Sequence, residues 1–264
     1  MAEFGGLALV EQWCDESRPV WVGPGQVECY SLLLPRTGAM LLRLDGEERF
    51  VDPSVVNVEK RGQEIHVSHP RGPCAPATRI IVPDEVGERH AHAARDGAVP
   101  RTARLDLRHW ALLAACRRGI DGFETADRIW TLLDELLSQP LAPQACPRNT
   151  RTERAHRRLA YDACELFNGG EFSLGLTEAA AQLGSSPSHL SRVFRRVTGR
   201  SVTAYRNQLR IQSVLRDLAD GAPSLRTLAS RYGFADQAHL TRVTRAHTGQ
   251  LPSAIKRLLQ PGAV

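Results

Sequence analysis

The sequence predicts an α+β chain in which an N-terminal all-β unit, a sandwich or small barrel, leads through helices to an all-helical C-terminal domain. Three observations predict it. The first hundred residues break into short strand-like runs with turn signals at roughly ten-residue spacing. From Leu105 onward apolar residues recur at helical spacing. The charge is split as well: residues 148–264 hold 18 Lys plus Arg against 8 Asp plus Glu, a net of +10, whereas residues 1–147 hold 16 against 21, a net of −5. The C-terminal part therefore carries the charge of a polyanion binder, and the N-terminal part does not.

The strands come first. Residues 39–44 run into Asp45-Gly46 and then residues 47–51, and an Asp-Gly between two such runs signals a tight hairpin because Gly tolerates the positive φ of the turn. Further strands are expected at 54–58, 64–68 and 78–82, broken by Arg61-Gly62 and by HPRGPCAP. The following ERHAHAARDG reads as a polar loop.

Helices follow. Leu105, Trp110, Leu113 and Ala114 share one helical face, and Ile129, Leu132, Leu133, Leu136 and Leu137 share the next. Three prolines in PLAPQACPRN then mark a linker. The division is 1–100 for the β unit, 101–139 for a helical connection, 140–150 for the linker and 151–264 for the C-terminal domain. Within that domain helices are predicted at 152–167, 176–183, from Pro187 with Ser186 as N-cap, 202–219, from about Asp236, and from Pro252, with glycines between them.

The C-terminal domain contains one basic element twice. In GSSPSHLSRVFRRVTG and FADQAHLTRVTRAHTG, His189, Leu190, Arg192, Val193, Arg195, Thr198 and Gly199 recur fifty residues later as His239, Leu240, Arg242, Val243, Arg245, Thr248 and Gly249. Each copy is a short helix, a turn and a second helix, the size of a helix-turn-helix unit. On the second helix of copy one, Leu190, Val193, Phe194 and Val197 face inward; Ser188, Ser191, Arg192 and Arg195 face out. In copy two Leu240, Val243 and His247 are expected inside, with Gln237, Thr241, Arg242 and Arg245 outside. Arg with hydroxyl and amide groups suits base edges in a major groove, and Arg195 and Arg245, one turn further on, suit phosphates. The connecting helix, about 27 Å long at about 1.5 Å per residue, comes close to the roughly 34 Å between groove faces one turn apart. One chain is thus expected to place both second helices on double-stranded DNA.

At these residues the sequence resembles the AraC/XylS family of bacterial transcription regulators. The resemblance covers about residues 152–259 and is carried by SPSHLSRVFRRVTGRSVTAYRNQLR and SLRTLASRYGFADQAHLTRVTRAHTGQLPSAIKR, above all by Ala229, Gly233 and Phe234 and by Thr248, Gly249 and Pro252. Departures occur at Thr244, Arg245 and Ile255. The resemblance implies a cupin-like N-terminal β-barrel that binds a small-molecule effector, forms a homodimer through the helices between Leu105 and Leu137, or both. RNA polymerase is an implied partner.

The N-terminal sequence is less specific. In residues 64–68 strict alternation puts Glu64, His66 and Ser68 on one strand face, a candidate effector contact. The alternative to a regulator is a metal-dependent cupin oxygenase fused to a nucleic-acid binder, for which His90, His92 and Asp96 supply only part of a ligand set and no downstream strand His completes it. A zinc site drawn from Cys14, Cys29, His66, His69 and Cys74 would have suitable ligand types at irregular spacing. No catalytic residue, metal or cofactor is therefore expected. The six cysteines lack any CxxC, no run reaches the roughly 18 apolar residues of a membrane span, and the first residues lack a basic signal region, so a cytoplasmic protein is expected.

Overall fold

The computed structural model describes residues 2–12, 20–69, 76–91, 97–137, 150–221 and 224–260. Among these, ten strands come in chain order as β1 Ala2–Phe4, β2 Leu7–Gln12, β3 Val22–Gln26, β4 Ser31–Pro35, β5 Met40–Leu44, β6 Glu47–Val51, β7 Val55–Glu59, β8 Glu64–Ser68, β9 Ala77–Ile81 and β10 Ala98–Pro100. They pair antiparallel in two sheets, ordered β1-β2-β9-β4-β7-β10 and β3-β8-β5-β6. Among the described residues no ladder joins one sheet to the other, so the unit is a two-sheet sandwich and the expectation of a closed barrel is corrected. Leu33 and Ala77 of the large sheet meet Met40, Leu42 and Val51 of the small one between the layers. The other face of the large sheet, with Leu32, Leu34, Val56, Val58 and Ile80, is also buried.

The hairpin is as its turn chemistry requires. Leu44 pairs with Glu47, and Asp45 and Gly46 take φ of 50° and 83°, the two positive values of a type I′ turn. ERHAHAARDG differs from its expected loop at its start, because α1 Asp84–Ala91 runs into it. Pro83 accepts hydrogen bonds from Val86 and Gly87 N–H, Asp84 and Glu85 supply negative charge to the first turn, and Val86 is buried. His92 and Asp96 lie outside the described residues.

Helices α2 Ala103–Arg117 and α3 Gly122–Leu137 cover the outer face of the large sheet. Eleven residues of α2 are buried, on every side of the helix, because the C-terminal domain packs on its far side. That domain comprises α4 Arg151–Asn168, α5 Leu176–Gln182, α6 Pro187–Thr198, α7 Val202–Ala219, α8 Leu225–Arg231, α9 Gln237–Thr248 and α10 Pro252–Leu259. One apolar core runs from Leu32 and Ile80 through Leu105 and Leu112 to Leu215 and Ile255. The linker region 138–149 lies outside the described residues.

Candidate nucleic-acid interface

The repeated residues fall into two physical classes, those that build each second helix and those that project from it. The builders act alike in both units. Ser186 Oγ accepts from His189 N–H at 3.3 Å and Asp236 Oδ1 from His239 N–H at 2.6 Å, so each helix starts on a side-chain cap. Each ends on a left-handed glycine, Gly199 at φ 73° and Gly249 at φ 76°. Thr198 Oγ donates to Phe194 O and accepts from Arg200 N–H; Thr248 does the same with Thr244 O and Gln250 N–H. The recurring Thr-Gly is therefore a helix stop. Leu190 and Leu240 are the fully buried anchors.

The histidines hold the same frame. His189 meets the ring of His156 edge-on at 5.8 Å, and His239 meets Phe234 at 5.5 Å while its Nδ1 accepts from Ala235 N–H.

The inward set of the second unit needs one correction. His247 is exposed, and the buried row after Leu240 is Thr244 and Thr248. These stand at i, i+4 and i+8, so α9 presents a slightly rotated face compared with α6, where Leu190, Val193 and Phe194 are buried.

The projecting residues are where the pattern puts them. Ser188, Arg192, Arg195, Gln237, Arg242 and Arg245 are exposed, and Ser191 and Thr241 are half-buried beside them. Among the described residues none of the four guanidinium groups is paired with a carboxylate. Arg192 Nε reaches only the Ser188 carbonyl, at 3.4 Å, and Thr241 Oγ donates to Gln237 O at 2.9 Å.

Other arginines of the basic domain are spent inside the fold. Arg206 donates to Leu174 O and Arg210 to Phe172 O, with the Arg210 guanidinium 5.6 Å from the Phe234 ring centre. Burial lowers the Arg210 pKa to about 10, which leaves it charged at neutral pH. Arg216 and Arg231 pair with Asp217. Both second helices thus keep exposed arginines without a carboxylate partner among the described residues.

The N-terminal candidates lie elsewhere. Glu64, His66 and Ser68 share the face of β8 opposite Ile65 and Val67, which pack in the sandwich interior. Glu64 is exposed and 3.6 Å from His66 Nδ1, Ser68 is buried, and Gly23 lies so close that a Cβ there would stand 2.8 Å from the His66 ring. Sequence reasoning missed a polar set that does face the interior. Glu59 accepts from Ser31 Oγ at 3.1 Å, Asn57 Nδ2 at 3.3 Å and Arg79, which also donates to Gln12 at 2.7 Å. Their partners are one another, which leaves the carboxylate fully satisfied. For the zinc set, Cys14 and Cys74 lie outside the described residues; among those described no three His, Cys, Asp or Glu come together as a metal site.

Residues 179–258 match the family described as a helix-turn-helix domain. The chain is 27% identical over 230 residues to the HTH-type transcriptional regulator GlxA of Rhizobium meliloti, covering 85% of this chain and 68% of that protein. It is 30% identical over 97 residues to the arabinose operon regulatory protein of Salmonella typhimurium, covering 36% of this chain and 34% of that one. It is 33% identical over 72 residues to the multiple antibiotic resistance protein MarA of Escherichia coli, covering 27% and 57%. The helix-turn-helix match at residues 179–258 contains both capped helices with their outward arginines. Residues 179–258 are thus a helix-turn-helix domain, and over most of its length the chain is similar to a DNA-binding transcription regulator.

Proposed function

We propose that the chain reads one asymmetric operator with α6 and α9 in adjacent major-groove turns, under control of its N-terminal domain. The observation that carries this reading is the pair of helices with the same cap, anchoring Leu and Thr-Gly stop, which present Arg192 and Arg195 on one and Arg242 and Arg245 on the other, none with a carboxylate partner among the described residues. Arg192 and Arg242 are assigned to base edges, with Ser188, Ser191, Gln237 and Thr241 around them, and Arg195 and Arg245 to phosphates. An 18-residue α7 spans about 27 Å, which leaves the short turns at its ends to reach the next groove face.

Control is assigned to two surfaces. A small-molecule effector is proposed to act on the N-terminal sandwich, with Glu64, His66 and Ser68 as contacts. A homodimer is proposed through α3, since α2 is buried and α3 exposes Phe123 at 72% and Trp130 at 38%, beside a shallow pocket of about 200 Å³ lined also by Leu7 and Ala126. The bound regulator is proposed to act in the cytoplasm, without a catalytic step or resident cofactor, and to contact RNA polymerase. No helix among the described residues is long and apolar enough to cross a membrane.

The test is binding of the full chain to an operator selected from random DNA, measured across salt. Phosphate neutralisation releases counterions, so affinity is expected to fall steeply and log-linearly with salt. Salt-independent binding, or no enriched sequence, would overturn the reading.

A further inference from the structure

Helix α7 carries a polar stripe in the wrong place for a helix that only connects two units. Tyr205, Gln208 and Gln212 stand at i, i+3 and i+7, and all three are buried. Buried polar groups are costly unless paired, so the pairing identifies what the stripe is for. All three donate into the N-terminal domain.

Three successive residues between β6 and β7 receive them. Tyr205 OH donates to Asp52 Oδ2, which also accepts from Asn168 Nδ2 of α4 at 2.8 Å. Gln212 Nε2 donates to Pro53 O at 2.6 Å and Gln208 Nε2 reaches Ser54 O at 3.5 Å. The same two amides reach α2 and its approach, Gln208 to Arg101 O at 2.6 Å and Gln212 to Asp106 Oδ2 at 2.7 Å. The receiving groups are themselves fixed. Asp52 Oδ1 accepts from Ser54 N–H at 2.8 Å and Ser54 Oγ at 2.6 Å, and Arg101 pairs with Asp106 and donates to Pro35 O at 2.7 Å.

The clamp reaches both DNA-reading units. Tyr205 meets Phe194 of α6 edge-on at 5.3 Å, which ties Asp52 to the first unit. At the other end, Ile255 and Leu259 of α10 share the core of α2, Arg117 lies 3.7 Å from Asp220 where α7 ends, and a Cβ on Gly249 would stand 4.0 Å from Arg104 Nη2. A purely apolar seam would allow α7 to slide by a fraction of a turn. Here any shift orphans several buried donors and acceptors at once, so one register is strongly favoured.

We propose that the N-terminal domain is a splint for the DNA reader: by clamping α7 it fixes the separation and angle of α6 and α9, and so sets which operator spacing the chain accepts. Tyr205, Gln208, Gln212 and Asp52 are its positioning residues. The proposal rests on the two-helix reading given above. One inserted base pair rotates the second contact region by about 34–36° and moves it by about 3.4 Å, an error that a splinted pair of helices cannot absorb and a loosened pair can.

The experiment uses the full chain and a series of selected operators with one base pair deleted, none, one or two inserted between the footprinted contact regions. The wild type is expected to lose about tenfold or more per misplaced base pair, the cost of losing base contacts in one half. The double variant Gln208→Leu, Gln212→Leu keeps the seam buried but removes its register, and is expected to bind the matched operator while losing less than about threefold on the altered ones. If circular dichroism shows that variant unfolded, Tyr205→Phe is read in the same series, since it removes only the hydroxyl and keeps the ring. Wild-type binding indifferent to spacing would sink the two-helix reading itself. A wild type that is strict, with folded variants equally strict, would overturn the splint and leave the two-helix reading standing.

Discussion

The two helix-turn-helix units share a frame but not a core, and the difference shows which residues make such a unit and which make it strong. In both, the cap, the anchoring Leu, the Thr-Gly stop and the two outward arginines coincide. Inside, the first unit places Phe194 against Tyr205, whereas the second has Thr244 at the equivalent position, fully buried and with its hydroxyl unpaired among the described residues. The second unit relies more on polar and cation–ring contacts: Asp217 accepts from Arg231 and Tyr232, and Arg210 lies over Phe234. Local frame residues place the outward arginines, and the core decides how firmly their helix is held.

The largest expected effect breaks the stronger unit. Phe194→Ala removes a ring that fills the space between α6 and α7, and is expected to cost about 3–5 kcal/mol of stability. Denaturant unfolding checks the magnitude, and hydrogen exchange checks that protection is lost first in α5 and α6. Equal loss in α8 and α9 would mean that the two units do not differ in the way their cores imply.

Much of this frame is legible in the amino-acid sequence alone. Strand β8 and helix α7 have the predicted bounds because alternation and capping glycines are local signals. Strand β4 escapes a pattern search because SLLLP is buried along its whole length and has no alternation to reveal it. Helix α1 escapes it too, although Pro83, Asp84 and Glu85 form a start signal, because the histidines and arginines after them read as loop. The outward residues of α6 and α9 follow from helix arithmetic within a dozen residues. Gln208 and Gln212 do not follow that way: a polar residue on a helix reads as solvated, and the partner of Gln212 is Pro53, 159 residues away. Helix α9 shows the limit of the arithmetic, since Leu240 alone does not decide whether His247 or Thr248 completes the buried row.

The next effect compares the two reading surfaces. Arg192→Ala and Arg242→Ala are each expected to cost about 1–3 kcal/mol of operator affinity and to relax preference at one base position. The loss should be larger for Arg192, whose helix is seated on the complete core. Arg195→Ala and Arg245→Ala should weaken all sequences alike and reduce the salt slope by about one. Competition binding against single-base operator variants separates the two classes: a uniform loss for Arg192→Ala would make it a phosphate contact.

The smallest effect repairs the weaker unit. Thr244 and Val have nearly the same shape, so Thr244→Val leaves the packing of α9 in place and changes only the buried hydroxyl, whose oxygen has no hydrogen-bond partner among the described residues. An unsatisfied buried polar group costs about 1–3 kcal/mol, and helix propensity is nearly the same for the two residues. The exchange is therefore expected to stabilise the chain by about 1 kcal/mol, seen as a higher denaturant midpoint with an unchanged slope, and to slow hydrogen exchange in α8 and α9 but not in α5 and α6. Destabilisation would show that the hydroxyl is used in the native state. In that case the second unit carries a polar contact the first unit lacks, and its core is built differently rather than built less well.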